Sequence, residues 1–547
     1  MGVAAVRRQA YNFFVQDTWN ASSRLSINYG LRYEVNSTIS EGKRQAAGFI
    51  TEDAAGQRID PMNLGGRARF LIRPEPHYPL DWRGWSPRLA IDWKPDADTV
   101  FRVGASVTPL LMNLWQQNSV TGNLPFVAAS NATAAPGRPL PFRNFVASIV
   151  LPDIYTTSGK LVFASGRSTD VAPNTEMDVL RFERDLAALS PDKQVRALAV
   201  QGKNPDLRNG YVGTWTAGVE RRFGGVTAST AYVATSGIRL GDLESPNGYA
   251  GADPASAPFT LFDSQGRVQG GFGPIWVVSS KSHSTYHSLQ TAASKTSLRA
   301  SLGFQASYTF SKSIDDTSAV LGGFLGGSSG TQMQASPQNP RNRSAEKGPS
   351  TFDIAHALTF SGIQELRLER ALGSLPRRAT AGWHFLAMAT LLSGAPFSVY
   401  SGIQQTGIGS NNADRPDSVR QPVLSTNRAV REDYFGLNDR NASYFSIPIN
   451  LPGGTGPNNG RFGTLGRNTF RGPAFHNFDF SLIKNTPIGA KANPERIALQ
   501  FRFEVFNAFN IANFSLPSNI VRVPGFGVIS RTSGPSRQIQ FSLKLLY

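Results

Sequence analysis

The chain has 547 residues, among them 53 glycines and 35 phenylalanines, and carries a formal charge of +17. It has no cysteine, which excludes disulfide frameworks, thiolate metal sites and cysteine nucleophiles. Lys and Arg form no dense run and no nucleic-acid module is recognisable, so the basic balance points to a solvated or membrane-facing surface, not to DNA or RNA.

The dominant signal along the chain is strict alternation. Over 24–35 the apolar set Leu25, Ile27, Tyr29, Leu31, Tyr33 and Val35 is interleaved with Arg24, Ser26, Asn28, Arg32 and Glu34. Over 299–311 Leu302, Phe304, Ala306, Tyr308 and Phe310 alternate with Ser301, Gly303, Gln305, Ser307 and Thr309. Over 496–505 Ile497, Leu499, Phe501, Phe503 and Val505 alternate with Arg496, Gln500, Arg502 and Glu504. In a strand, period two sends one set to each face. These windows have the length of about 9–11 tilted residues that crosses a bilayer, and soluble sandwich strands run about half that. No run of about 18 apolar residues exists, so no transmembrane helix is expected, which leaves strand spans open.

Strands are expected near 11–19, 24–35, 86–94, 99–107, 212–223, 226–235, 285–297, 299–311, 353–367, 380–392, 475–485, 494–507 and 537–547. Their connections sort by parity. Short or medium ones fall at 20–23, 95–98, 224–225, near 298, at 368–379 and at 486–493; long ones fall at 36–85, 108–210, 236–284, 316–352, 393–474 and 508–536. Outer-membrane barrels have short periplasmic turns and long extracellular loops. With the long loops outside, the last strand descends and so does the first. The opening residues, MGVAAVRRQA, lack the apolar core of a secretory leader. Both points suggest a barrel segment without its upstream part.

One stretch departs from period two. Residues 174–200 space Met177, Leu180, Leu186 and Leu189 as a helix does, with Asn174 or Thr175 as the expected cap and Glu176 and Asp178 in the first turn. This predicts a helical excursion inside the second long loop. Gly-rich 320–330 and 451–463 read as flexible loop segments.

Several phrases carry a family resemblance. YNFFVQDTWNASSRLSINYGLRYE (11–34) resembles the barrel phrase in which a strand ending Gln-Asp-x-Trp turns into one ending Gly-Leu-Arg-Tyr-Glu. SPRLAIDWKP (86–95), YHSLQTAASK (286–295), FQASYTFSKSIDD (304–316), GWHFLAMATLLSGAPFSVYSG (382–402), FGTLGRNTFRGPAFHNFDFSLIKN (462–485) and LQFRFEVFNAFNIANF (499–514) follow in the same order. Together they resemble TonB-dependent receptors of the Oar-like group over nearly the whole chain. The resemblance implies an all-β fold, a transmembrane antiparallel β-barrel of about thirteen strands that is an incomplete part of a roughly 22-stranded barrel, with long extracellular loops. It places the chain in the cell outer membrane, in contact with lipid. It implies receptor and transporter function for an unidentified extracellular solute, with an adhesive or structural surface protein as the alternative. A soluble carbohydrate-active β-protein is the remaining rival. Residues 1–547 then form one barrel segment. The family's plug is absent from it, so TonB coupling is not expected of this chain alone.

The resemblance also gives a role to the last strand. In RQIQFSLKLLY, Ile539, Phe541, Leu543, Leu545 and Tyr547 share one face, like the terminal signal read by the barrel assembly machinery. No enzyme motif appears: there is no Gly-x-Ser-x-Gly elbow, phosphate loop or zinc-protease motif, and no cofactor or metal is implied. Of the six histidines (His77, His283, His287, His356, His384, His476), His283 and His287 are four apart, but they lie at a loop-to-strand junction with no nearby carboxylate ligand. Asp315 and Asp316 read as a solvated strand exit, with a calcium ligand as the less favoured reading. Trp19, Trp93, Trp215 and Trp383 suit an interfacial aromatic girdle.

Overall fold

A strand that alternates in polarity needs neighbours that alternate in phase with it, because cross-strand partners share a face. The computed structural model satisfies this condition from strand to strand in the main sheet. It describes all residues except 1–5, 39, 42–45, 74–79, 112–151, 165–166, 169–171, 191, 249–255, 296–301, 319–336, 403–413, 420–432, 436–443, 449–461, 489–496 and 547. The Gly-rich 320–330 and most of 451–463 therefore lie outside the described residues, as do His77 and Tyr547.

The long strands are β1 (Ala10–Ser22), β2 (Leu25–Asn36), β3 (Trp85–Trp93), β4 (Thr99–Leu110), β5 (Gly210–Phe223), β6 (Val226–Glu244), β7 (Val268–Lys295), β8 (Leu302–Asp315), β9 (His356–Leu366), β10 (Trp383–Leu392), β11 (Phe475–Pro487), β12 (Ala498–Phe506) and β13 (Gln538–Leu546). Each pairs antiparallel with the next in chain order. Among the described residues β1 pairs only with β2, and β13 only with β12. The sheet is therefore not closed on itself, and its two edge strands run in the same direction.

The register can be followed across the sheet. Trp19, Ile27, Ile91, Val103, Ala217, Tyr232, Leu289 and Phe310 are successive cross-strand partners on one face. Displaced by one residue, Thr18, Asn28, Ala90, Gly104, Thr216, Val233, Ser288 and Ser311 form the matching row on the other. Charged groups on this second face pair locally: Arg102 reaches Glu220 at 3.1 Å and Asp92 at 3.7 Å. Leu302, Phe310, Leu499 and Phe503 lie on the apolar face, and Arg32, Gln305, Gln500 and Arg502 on the polar one.

Three expectations need correction. The connection read at 236–284 is largely strand: β6 continues to Glu244, and β7 runs 28 residues from Val268. Its outer half shows no period two because it is buried on both faces. Secondly, the sheet is not antiparallel throughout. The short strand Leu198–Lys203 lies parallel to β7 and meets Ala47–Glu52 in parallel through Gly202 and Phe49. Thirdly, the helix within 174–200 is α1 (Val179–Leu189), capped by Asp178, whose carboxylate accepts the Arg181 N–H at 3.0 Å. Asn174 has φ +56° and sits in a turn, while Thr175 pairs with Ile72 in a strand, so neither can cap it.

Two packed units stand at the end of the sheet where the long connections leave. The first joins Ala47–Glu52, Arg67–Ile72, Thr175–Glu176, α1, Leu198–Lys203 and the outer half of β7 around Phe49, Phe70, Phe182, Ile275 and Val277. The second gathers Phe397, Phe435, Phe445, Leu465, Phe470 and Ile529. Phe435 is its centre, with ring centroids 4.9 Å from Phe526, 5.6 Å from Phe445 and 5.6 Å from Phe470. Truncating a fully buried phenylalanine leaves a cavity and costs about 3–5 kcal/mol. Phe435→Ala is expected to unfold this unit locally. Hydrogen exchange would show lost protection at Leu465 and Gly472, with the β2–β5 ladders unchanged.

Candidate functional site

The loop end of the sheet is where distant segments meet, and ion pairs make the junctions. Arg415 donates to both oxygens of Glu346, at 2.8 and 2.9 Å, with both side chains buried. Arg467 bonds Asp315 in a second buried pair and donates from Nε to the Glu346 carbonyl at 2.8 Å. Arg471 binds Asp353. These pairs tie the connection after β8 to the connection after β10. On the other flank Lys281 joins Asp60 and Glu244, and Arg343 joins Asp242 and Glu244 while donating to Ser282 Oγ at 2.9 Å. Arg343 and Glu346 lie in one short 3₁₀ turn, so this turn couples the two packed units. Asp315, expected at a solvated strand exit beside Asp316, is instead buried. Asp315 faces Arg467, and Asp316 accepts the His283 backbone N–H at 2.9 Å.

The first unit contains a cavity of about 430 Å³. Its floor is built from Phe70, Met177, Phe259 and Phe272, and its mouth carries Leu64, Leu180 and Leu261. The rim is charged. Glu176 takes Arg67 Nη2 on both oxygens, at 3.2 and 3.3 Å, and Arg69 Nε at 3.0 Å; Arg69 also reaches Glu52 at 2.7 Å. Gly271, at φ +96°, bends β7 so that its N–H points to Glu183 Oε2 at 2.9 Å, behind the cavity. Glu183 Oε1 accepts the Leu198 N–H at 2.6 Å. Both bonds favour the carboxylate, yet burial outweighs them and pushes the acid up to about 7.

The remaining predicted residues fall into place individually. Ile539, Phe541, Leu543 and Leu545 form one exposed row on β13, and Tyr547 lies outside the described residues. His287 and His356 are on the apolar face, each bonded through Nδ1 to a tyrosine hydroxyl, Tyr232 at 2.6 Å and Tyr308 at 2.8 Å. Among the described residues no three His, Asp or Glu side chains form a metal-binding group. Trp19, Trp93 and Trp383 lie toward the short-turn end of the apolar face, and Trp85 packs against Tyr33 in a tilted contact at the opposite end, 4.3 Å between ring centroids. Sequence reasoning missed the cavity and the buried ion pairs. Their residues are separated by tens to more than a hundred positions and leave no periodic trace.

Residues 2–540 match the family described as outer membrane beta barrel domain. No curated protein matches the sequence. Among solved structures, the chain is similar to the ferric citrate transporter FecA at 10% identity, TM-score 0.39, covering 99% of this chain and 45% of that one. It is likewise similar to the copper transporter OprC at 9% identity, TM-score 0.39, covering 98% and 48%. The outer membrane transporter YddB from Escherichia coli is 9% identical, TM-score 0.38, covering 98% of this chain and 54% of that one. The chain thus spans about half the length of these structures.

Two outcomes follow from the buried acids. Glu183 has a folded-state pKa above its unfolded value of 4.5. The stability tied to its protonated form is present below about pH 4.5 and is lost as pH rises through about 7, roughly 3 kcal/mol in all. Burial lowers Lys203 in the same unit to about 7, with the opposite trend, so the comparison must be between variants. Protection of the Gly271 and Leu198 amides, taken as wild type minus Glu183→Gln, should fall between pH 5 and 8; a flat difference would refute the assignment. Arg415→Met leaves the Glu346 carboxylate buried and unpaired and should cost about 3–5 kcal/mol locally, whereas Arg415→Met with Glu346→Met should recover most of it. Exchange at the Leu465 amide, bonded to the Pro416 carbonyl at 3.1 Å, reads both.

Proposed function

The chain belongs to the outer membrane β-barrel domain family and is located in the outer membrane, and we propose that it serves as the barrel part of an uptake receptor of the TonB-dependent kind, within the Oar-like group. The observation that carries this reading is the register-aligned sheet with one apolar and one polar face. The apolar face meets lipid, and the polar face lines a hydrated lumen. An Arg at the bilayer midplane costs about 2–4 kcal/mol, which is why Arg32, Arg102 and Arg502 belong on the lumen side. The long connections face the exterior, and their two packed units form the surface that first meets a solute. The solute then passes through the lumen. No catalytic step enters this reading.

The apolar row of β13 supports a second element of the proposal. Ile539, Phe541, Leu543 and Leu545, followed by Tyr547, form the terminal signal offered to the barrel assembly machinery. Phe541→Asp is expected to lower the amount of heat-modifiable protein in outer membranes several-fold, whereas Gln540→Asp on the other face should not.

Two measurements test the whole. Leu289→Arg, on the apolar face between Tyr232 and Phe310, should destabilise the bilayer-inserted protein by about 2–4 kcal/mol, and Thr309→Lys on the polar face should be tolerated. Equal losses would sink the assignment of faces. Spent medium from cells with and without the gene, compared by mass spectrometry, should differ in at least one solute that only the producing cells deplete. Identical profiles would sink the uptake reading while leaving the membrane assignment intact.

A further inference from the structure

We infer that the cavity in the first loop unit binds a small amphipathic molecule with an apolar body and an anionic head that only accepts hydrogen bonds. Three observations converge on it. The volume of about 430 Å³ falls in the range of roughly 300–1,000 Å³ of small-molecule sites. The floor of Phe70, Met177, Phe259 and Phe272 is apolar and buried. The mouth is apolar and open: Leu64, Leu180 and Leu261 are 47%, 42% and 51% exposed. A single exposed leucine is ordinary, but three leucines from separate connections around one opening form a contact surface.

The rim selects the head group. Both Glu176 oxygens already accept from guanidinium groups, and Asp178 Oδ1 caps α1. Both Glu176 oxygens and Asp178 Oδ1 are therefore taken. Donors are in surplus: Arg67 engages Glu176 through Nη2, and its side chain stays 70% exposed, with Nε and Nη1 directed to no acceptor in that pair. A cationic head would meet two guanidinium groups. A carboxylate, sulfonate or similar anion meets two donors in the planar arrangement that guanidinium offers. The apolar body then covers the leucine mouth and reaches toward the phenylalanine floor.

This inference deepens the reading of the loop units as the solute-meeting surface, and it is tested without transport. The probes are 2-naphthalenesulfonate and neutral 2-naphthalenemethanol. Each is titrated by equilibrium dialysis against outer-membrane vesicles containing the full protein, with vesicles from cells lacking it as the blank. Saturable binding of the sulfonate above the blank is expected. Arg67→Ala should weaken the sulfonate about tenfold and leave the neutral probe unchanged, in keeping with one charge-assisted hydrogen-bonding group. Leu180→Asp should weaken both about tenfold or more; exchange protection of the Met177 amide, bonded to the Phe70 carbonyl at 2.9 Å, verifies that the variant remains folded. Absence of saturable binding, or binding unchanged by Leu180→Asp, overturns the site. Probe binding together with unaltered spent medium keeps the site and discards the uptake reading; the converse discards the site alone.

Discussion

Register is the constraint on which the rest of this molecule depends. Once β1 to β13 are paired by their backbones, each side chain's face is set by parity alone. A slip of one residue between β2 and β3, for example, would put Ile91 opposite Asn28 and send a row of apolar side chains to the wrong face. The alternation of each strand is thus matched to its neighbours, and the cost of mismatch locks all of them. The same parity decides where the connections go. Antiparallel strands joined in chain order leave the short turns at one end and the long connections at the other, so the loop units are assembled in one place by the path of the sheet.

The loop end is held by different means. Alternation serves a sheet between two solvents, but the packed units are buried on both sides and rely on aromatic cores and paired charges. Ion pairs such as Arg415 with Glu346 and Arg467 with Asp315 are poor sources of net stability, because desolvation cancels much of the attraction. Their value lies in selection among arrangements: a guanidinium buried away from its carboxylate is heavily penalised, so only the arrangement that brings all partners together persists. The 3₁₀ turn carrying Arg343 and Glu346 shows the consequence, since its two charges reach one to each flank.

The two edge strands set a further physical condition. β1 and β13 run in the same direction and are not antiparallel partners of each other. Among the described residues each has backbone donors and acceptors without a strand partner on its outer side, and in hydrocarbon every such group costs several kcal/mol. Their side chains are exposed along nearly their whole length. A membrane-inserted form therefore requires these edges to be paired, a demand that the interior ladders already meet.

The sequence by itself determined the long strands, their order and their faces. Leu25, Ile27 and Leu31, or Phe501 and Phe503, announce a strand because lipid and water on opposite sides impose period two on the residues themselves. Membership of a membrane-barrel family was legible for the same reason, reinforced by ordered phrases such as those at 11–34 and 462–485. What only the tertiary structure decided lies where that two-solvent condition ends. The strand Ala47–Glu52 is buried almost throughout and shows no alternation, so it reads as loop. The outer half of β7 was missed likewise. The cap of α1 is Asp178, not Asn174, because pairing of Thr175 with Ile72 keeps the preceding residues extended, which local spacing does not encode. The cavity with Leu64, Leu180 and Leu261 at its mouth exists only because three connections fold onto one another. Such a site is a property of long-range packing, and no window of sequence contains it.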